Sequence, residues 1–123
     1  MSSETPLPSG RDPRLYLVDM LDFGRRALDY AGDLSLSEIL ADQMRYDAIL
    51  RNLELIGEAA THVPPELRAM ASDIPWRKVV GTRNRVAHAY LGIDAQTVWS
   101  ILRDDLPSLL VALDRLRQKA GAT

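Results

Sequence analysis

The stretch YDAILRNLELIGEAATHVPP, residues 46–65, decides the fold because its apolar side chains recur every three or four positions. Such spacing predicts a long helix with one apolar face. The residues on that face are Tyr46, Ile49, Leu50, Leu53, Ile56, Gly57 and Ala60. The helix is expected to end before Pro64, since proline interrupts the hydrogen-bond ladder. An apolar face of this length has to be covered by other helices.

Helices are predicted on both sides of this stretch. Asp12 followed by Pro13 is typical of a helix start, and apolar residues then recur at helical spacing until Gly32, which predicts a stop. A last helix rich in leucine follows Asp94. Pro107 is expected to bend that helix or to mark a restart within it.

Pro75 is suited to the first turn of a third helix, which contains the segment GTRNRVAHAY, residues 81–90. No segment alternates apolar and polar residues for long enough to predict a strand. The predicted fold class is therefore all-α, an antiparallel bundle of four to five helices. Residues 1–10 are polar and contain proline, which predicts a flexible arm before a single helical domain over residues 11–120.

Composition excludes several classes of protein. The 123 residues suffice for one domain with its own core, and 46% of them are hydrophobic, which excludes a disordered chain. The chain has no cysteine, so disulfides and thiolate metal sites are excluded and a cytoplasmic location is expected. Neither a signal peptide nor a membrane span is predicted, because no long apolar run occurs.

Charge is distributed unevenly along the chain. A formal net charge of −2 argues against a nucleic-acid binder that relies on overall positive charge. Residues 74–93, however, contain no aspartate or glutamate, and they carry Arg77, Lys78, Arg83 and Arg85. One element of an acidic protein is therefore cationic.

Helical geometry groups the polar residues of this cationic element. At about 100° per residue, Asn84 and His88 lie on one face of the helix and Arg85 joins them. Arg83 lies roughly 140° around the helix from His88, on the side of Tyr90, so it must reach around or act from an interface. Such a cluster is more often a solvated, hydrogen-bonded surface than a site, and that alternative stays open.

The residue types suggest phosphate chemistry. An imidazole exchanges protons near neutral pH, and a guanidinium is suited to binding phosphate. RNA cleavage without a metal needs a base, an acid and a cation, whereas one chain supplies only His88 in this segment. A two-fold axis beside the helix would bring a second copy of His88 and Arg83 into the same cleft. The run LLVAL, residues 109–113, is apolar around more than one turn, which favours a homodimer over a central helix in a monomer.

The pattern Arg83-Asn84-x-x-x-His88-x-Tyr90 and its flanks resemble a known family. The flanking segments are LGID, residues 91–94; RNLELIGEA, residues 51–59; IPW, residues 74–76; and DLP, residues 105–107. Together they are similar to the HepT-like toxins of the HEPN superfamily, whose hallmark is an arginine, four to six residues, and a histidine. The likeness covers roughly residues 12–118.

The resemblance implies a HEPN-like helical bundle acting as a homodimeric, metal-independent ribonuclease, with no cofactor. It implies that Arg83 stabilises the scissile phosphate, that Asn84 positions His88 or the substrate, and that His88 is the acid or base. Tyr90 would be the residue to which a nucleotidyltransferase antitoxin attaches AMP, which would block the RNA site. Arg85 occupies a variable position of the motif, so only attraction of RNA phosphates is expected of it.

Two other functions stay open. The chain could be a non-catalytic subunit that presents a substrate or nucleotide to a minimal nucleotidyltransferase, or a purely structural bundle. Glu54 and Glu58 lie one turn apart and are expected to form ion pairs, with Arg83 as a candidate partner. His62, at the end of the second helix, is expected to cap it.

Overall fold

The computed structural model describes residues 10–121, most of which are helical. The helices are α1 (Arg14–Ala31), α2 (Leu36–Leu40), α3 (Gln43–Ala60), α4 (Pro65–Ala69), α5 (Trp76–Val80), α6 (Thr82–Tyr90), α7 (Ala95–Ser100) and α8 (Leu106–Gly121). No strand occurs among the described residues, so the predicted all-α class is confirmed. The predicted flexible arm, residues 1–10, lies outside the described range except for Gly10.

Helices α1 and α3 run antiparallel at the centre of the bundle. The ring of Tyr16, near the start of α1, stacks on His62, just beyond α3. At the opposite end, Arg45 near the start of α3 donates a hydrogen bond to the carbonyl oxygen of Tyr30. Helix α8 covers another side of α1 at Gly24, where a β-carbon would collide with a leucine side chain of α8. The core therefore lies around α1 and α3, and buried residues of α8 and of the shorter helices complete it.

The sequence predicted the faces and ends of the two central helices well. Every residue predicted for the apolar face of the second helix is buried in α3. Asp12 accepts a hydrogen bond from the backbone N–H of Arg14 at 3.0 Å, and Pro13 directly precedes the first helical residue. Gly32 ends α1 with a φ of 51°, a left-handed conformation that favours glycine.

The third helix differs from the prediction, which had one helix running on from Pro75. The structure divides it at Gly81 into α5 and α6. The carbonyl oxygen of Gly81 accepts hydrogen bonds from Asn84 and Arg85, so a new helical ladder begins there. Glycine costs about 1 kcal/mol relative to alanine inside a helix, which explains why the interruption falls at this residue.

Helices α7 and α8 are joined by a π turn over Ile101–Asp105, in which the N–H of Leu106 bonds to the carbonyl oxygen of Ile101. Pro107 follows directly. In a regular α-helix its ring would clash with the carbonyl four residues earlier, and a wider turn relieves that clash. The predicted disturbance of the last helix at Pro107 is confirmed.

The apolar run over residues 109–113 is only partly covered by this chain. Leu110 packs on Gly24 and Leu113 is fully buried, whereas Val111 remains 56% exposed. The homodimer inferred from this run stays a prediction. Among the described residues, no helix is both long enough and apolar enough to cross a membrane.

Candidate active site

A glycine fixes the end of α6, the helix that carries the residues singled out by the sequence. Gly92 adopts a φ of 76°, its N–H bonds to the carbonyl oxygen of Ala89 at 2.9 Å, and the N–H of Ile93 bonds to that of His88 at 3.2 Å. These two bonds form a Schellman motif, in which a side chain at Gly92 would be strained. Helix α6 therefore ends two residues after His88, and the following Leu91 is exposed.

Three buried residues set the rotation of α6. They are Thr82, Val86 and Ala89. With this side turned toward α3 and α7, the remaining residues form two flanks at about 100° per residue. The first, the Arg83 flank, carries Arg83 and Tyr90. The second, the His88 flank, carries Asn84, Arg85 and His88.

The Arg83 flank faces a polar stripe on α3. The stripe residues recur at helical spacing along and just beyond α3 and are Asp47, Arg51, Glu54, Glu58 and His62. Arg83 Nη1 donates to Glu58 Oε1 at 2.6 Å, which confirms the ion pair expected from the sequence. Three carboxylates and one guanidinium make the stripe negatively charged.

A histidine lies on the other side of Glu58. Oε2 of Glu58 lies 3.5 Å from Nε2 of His62, and the His62 ring stacks on Tyr16 with 4.9 Å between centroids. Instead of the predicted helix cap, the side chain of His62 therefore makes this stack and lies beside Glu58. Since Glu58 and Arg83 are both about half-exposed, their ion pair orients Arg83 more than it stabilises the fold.

Gly57 brings α6 and α3 close together at this point. A β-carbon at Gly57 would lie 2.9 Å from Cγ of Arg83. It would also lie 3.3 Å from the backbone nitrogen of Arg83 and from the carbonyl oxygen of Val80. The absence of a side chain at Gly57 thus determines where the backbone of Arg83 lies. The helical spacing places Gly57 on the apolar face but does not predict this contact, although a glycine inside a helix is itself a sign of close approach.

The His88 flank is more open. The side chains of Asn84 and His88 are exposed, and neither makes a hydrogen bond to another residue between 10 and 121. Arg85 is half-buried, and its Nη2 donates to Thr82 Oγ1 at 3.1 Å and to the carbonyl oxygen of Lys78 at 3.3 Å. Its guanidinium therefore lies back along the helix toward α5. His88 and Asn84 remain accessible to a ligand.

The hydroxyl of Tyr90 lies in an acidic environment. Partial burial raises the pKa of Tyr90 above its ordinary value, the carboxylates of Glu54 and Asp47 raise it further, and the guanidinium of Arg51 partly offsets them. The phenol is therefore neutral at physiological pH. These neighbours also show that Tyr90 lies beside the α3 stripe, on the side of Arg83.

Within one chain, the predicted site residues fall into two separate groups. Arg83 and Tyr90 lie against α3, whereas Asn84 and His88 lie on the opposite flank, as the helical geometry predicted. The described part of the chain contains no group of three or more His, Cys, Asp or Glu residues that could hold a metal ion.

Comparison with known proteins places this geometry in a family. The ribonuclease HepT-like family matches residues 20–116. The chain belongs to this family. A Methanocaldococcus jannaschii relative, named as an inferred RNase, is 33% identical over 101 residues, which cover 82% of this chain and 93% of the relative. A Thermococcus cleftensis relative, named "Probable ribonuclease HepT", is 30% identical over 108 residues, which cover 88% and 98%. No solved structure gives a significant match.

The HepT-like match includes the whole of α3 and α6, and therefore both flanks of the motif helix. The family resemblance inferred from the sequence is confirmed. The roles of Arg83, Asn84, Arg85, His88 and Tyr90 stay predictions.

Proposed function

We propose that the chain is the toxin of a toxin–antitoxin pair, a metal-independent endoribonuclease that acts as a homodimer. Membership of a ribonuclease family and the exposed Arg83, Asn84 and His88 of one helix support this proposal. In the proposed reaction, the 2′-oxygen of RNA attacks the adjacent phosphorus and the bond to the 5′-oxygen breaks. The products are a 2′,3′-cyclic phosphate and a free 5′-hydroxyl.

Each residue of the motif has a part in this reaction. One His88 accepts the proton of the 2′-hydroxyl, and a protonated His88 of the second copy donates a proton to the leaving 5′-oxygen. Arg83 stabilises the charge that develops on the non-bridging phosphate oxygens. Asn84 positions His88 or the substrate, and Arg85 attracts RNA phosphates.

The proposed dimer is inferred from the two flanks of α6, which point in different directions within one chain. The crest of α6 between the flanks is formed by Asn84, Ala87 and Leu91, all exposed. Ala87 is small enough to let a second helix approach, and Leu91, at 74% exposure, is an apolar side chain without cover in this chain. A two-fold axis at this crest would join the two subunits through one helix–helix contact. Both copies of His88 and both copies of Arg83 would then lie around that contact.

Tyr90 is the proposed acceptor of AMP from a minimal nucleotidyltransferase antitoxin. Its hydroxyl oxygen attacks the α-phosphorus of ATP, pyrophosphate leaves, and a phosphodiester to tyrosine forms. Because the pKa of Tyr90 is raised, a base of the partner enzyme has to remove its proton. The new phosphate would lie on the Arg83 flank, where its negative charge competes with RNA for Arg83.

Mixing the wild type with an inactive variant tests the shared site. Purified His88→Ala protein, free of contaminating nuclease, is expected to cut labelled RNA poorly when alone. After subunit exchange, a mixed dimer keeps only one His88 in the cleft and lacks either the acid or the base, so cleavage should fall with the square of the wild-type fraction. Cleavage that falls only in simple proportion to the wild-type fraction, despite exchange shown by native mass spectrometry, would contradict the shared site. Cleavage by the unmodified protein should also persist in EDTA.

The alternative function predicts a different result. A non-catalytic subunit that presents a substrate or nucleotide to its partner enzyme would bind RNA or nucleotide but release no cyclic-phosphate product. The intact mass after incubation with the neighbouring nucleotidyltransferase and ATP tests the regulation separately. One or more added adenylyl groups should be found at Tyr90 and be lost in Tyr90→Phe. Modification elsewhere would contradict the assignment of Tyr90.

A further inference from the structure

A cavity of about 230 Å³ opens between α3, α5 and α8, apart from the acidic stripe. Its inner walls are apolar and come from the core. They include Leu53 and Ile56 of α3, Val79 of α5, and Leu106 and Leu109 of α8. The π turn that Pro107 imposes also lines the cavity through Ile101 and Asp105. The cavity therefore has an apolar interior, and one of its walls is the π turn rather than a regular α-helix.

The mouth of the cavity is polar and carries both signs of charge. Nζ of Lys78, in α5, lies 3.3 Å from Oδ2 of Asp105 at the mouth. Because both side chains are partly exposed, this ion pair is weak and easily opened. Asp73 and Ser108 lie at the rim. Arg85 also lines the cavity, where its guanidinium rests on Thr82.

Arg85 connects the cavity to the candidate active site. It lies on the His88 flank, three residues before His88, which corresponds to a rise of about 4.5 Å along the helix. The cavity opens at least one helical turn from the proposed acid–base residue, on the side toward α5 to which the guanidinium of Arg85 points. An RNA strand that places a phosphate at His88 and continues along α6 toward α5 would reach the mouth.

We propose that the cavity receives one unstacked base of the bound RNA, next to the nucleotide that is cleaved. This inference rests on the proposed ribonuclease function and adds a specificity site to it. Proteins read RNA sequence mainly by splaying out single-stranded bases, whose flat apolar faces enter a pocket while their edges form hydrogen bonds. The volume is below the roughly 300–1,000 Å³ of sites for drug-sized ligands, which suits a single base.

The charges at the mouth match the parts of a nucleotide. Lys78 and Arg85 can attract the phosphates on either side of the inserted base. The carboxylates of Asp73 and Asp105 are acceptors only, so they favour a base with an exocyclic amino group. Adenine, cytosine and guanine carry such a group, whereas uracil does not. Uracil offers only one donor, its N3–H, and is therefore expected to be the least favoured base at this position.

Filling the cavity tests the proposal. Ala112 lies on the cavity wall in α8. Ala112→Leu should raise KM for RNA, and it should reduce the ratio of kcat/KM between favoured and disfavoured bases by about tenfold, because the larger side chain occupies the pocket. Ala69→Leu makes the same change at an exposed position of α4 and should behave as wild type. Ser108→Leu, at the exposed mouth, should reproduce the effect without altering the core. Equal KM and base preference in all of these proteins would overturn the proposal.

A binding measurement separates the cavity from the chemistry. His88→Ala protein is mixed with RNAs that carry the fluorescent base 2-aminopurine at successive positions. One position should brighten on binding because the base leaves the stack, and Ala112→Leu in the same protein should abolish the change. Brightening that survives Ala112→Leu, or none at any position, would overturn the base pocket.

The remaining outcomes are also decisive. If wild type cuts RNA but no position brightens, only the base pocket fails. If a base enters the cavity but wild type cuts no RNA, the nuclease fails and the binding site stands. If Ala112→Leu instead turns a dimer into a monomer in light scattering, the cavity is filled by a second copy and the base pocket is wrong.

Discussion

The two flanks of α6 differ in the charge around them, in their packing and in the exposure of their side chains, although they lie on one short helix. The Arg83 flank rests on α3, where Gly57 allows close backbone contact and Glu58 holds the guanidinium at 2.6 Å. The His88 flank projects away from α3, and its imidazole is exposed. One flank therefore presents an oriented cation beside carboxylates, and the other presents an imidazole that a ligand can reach.

If the chain binds RNA as proposed, this difference explains how a net-acidic chain can hold a polyanion. The carboxylates of the α3 stripe would repel phosphate along most of the Arg83 flank and direct RNA toward the His88 flank, which carries Arg85 and lies beside Lys78 of α5. In the proposed site, Arg83 can act on the phosphate only if its guanidinium is held at a fixed angle, and the ion pair with Glu58 provides that angle. The site thus depends on both flanks, and each can be altered separately.

The largest expected effect comes from the His88 flank. His88→Ala should reduce the rate of RNA cleavage by about 10² to 10⁴, the usual contribution of a general acid or base, without unfolding the exposed helix surface. The rate is measured on labelled RNA, and circular dichroism checks the fold. His62→Ala removes the other histidine, on the α3 stripe, and should cost far less. Equal losses in the two variants would contradict the assignment of His88.

The next effect comes from the contact between α6 and α3. Gly57→Ala places a β-carbon 2.9 Å from Arg83 Cγ and 3.3 Å from backbone atoms, so α6 must shift. Overpacking of this kind costs about 1–3 kcal/mol of unfolding free energy, and the better helix propensity of alanine offsets up to about 1 kcal/mol of that cost. Urea denaturation measures the net loss. Cleavage should also fall because Arg83 moves with the helix. Gly121→Ala, where a β-carbon meets nothing within 4 Å, is the matched control. Unchanged stability and rate in Gly57→Ala would disprove the tight contact.

The sequence predicts that α6 has two flanks and that α3 has a buried side, because both follow from helical periodicity, which is a local property. The apolar positions of α3 specify which side faces the core, and the 100° step of a helix separates Arg83 from His88. The Glu58 ion pair could also be predicted, since an unpaired stripe of acids beside a cationic helix favours pairing. These features follow from residues within one or two elements.

Other features depend on three-dimensional contacts that spacing does not encode. Nothing in the local sequence pairs Tyr16 with His62, which are distant in the chain and meet only because α1 and α3 run antiparallel. The break at Gly81 was missed because one glycine inside a helical pattern is compatible with a continuous helix. The cavity beside Arg85 arises from the π turn at Pro107 together with α3 and α5, so no single segment predicts it.

A smaller effect is expected from the carboxylate that orients Arg83. Glu58→Ala removes the acceptor, so Arg83 loses its fixed angle and kcat should fall about tenfold, within the range that misplacement of a catalytic group produces. Glu58→Gln keeps an oxygen that accepts from Arg83 and should retain most of kcat. Glu54→Ala, on the same stripe but paired with Arg51, is the control and should leave kcat near wild type. If Glu58→Gln and Glu58→Ala are equally impaired, the negative charge matters and the orientation does not.

The smallest effect is a titration shift that reports the acidity of the Arg83 flank. Burial, then Glu54 and Asp47, raise the pKa of Tyr90, so its phenolate should appear above the ordinary tyrosine range in a difference between wild-type and Tyr90→Phe ultraviolet titrations. Glu54→Gln should lower this pKa and Arg51→Ala should raise it. Because the folded-state pKa lies above the unfolded one, the stability contributed by neutral Tyr90 is present below the unfolded pKa and is lost as pH rises through the folded one. A shift of the same sign in both variants would mean that the α3 stripe does not set the environment of Tyr90.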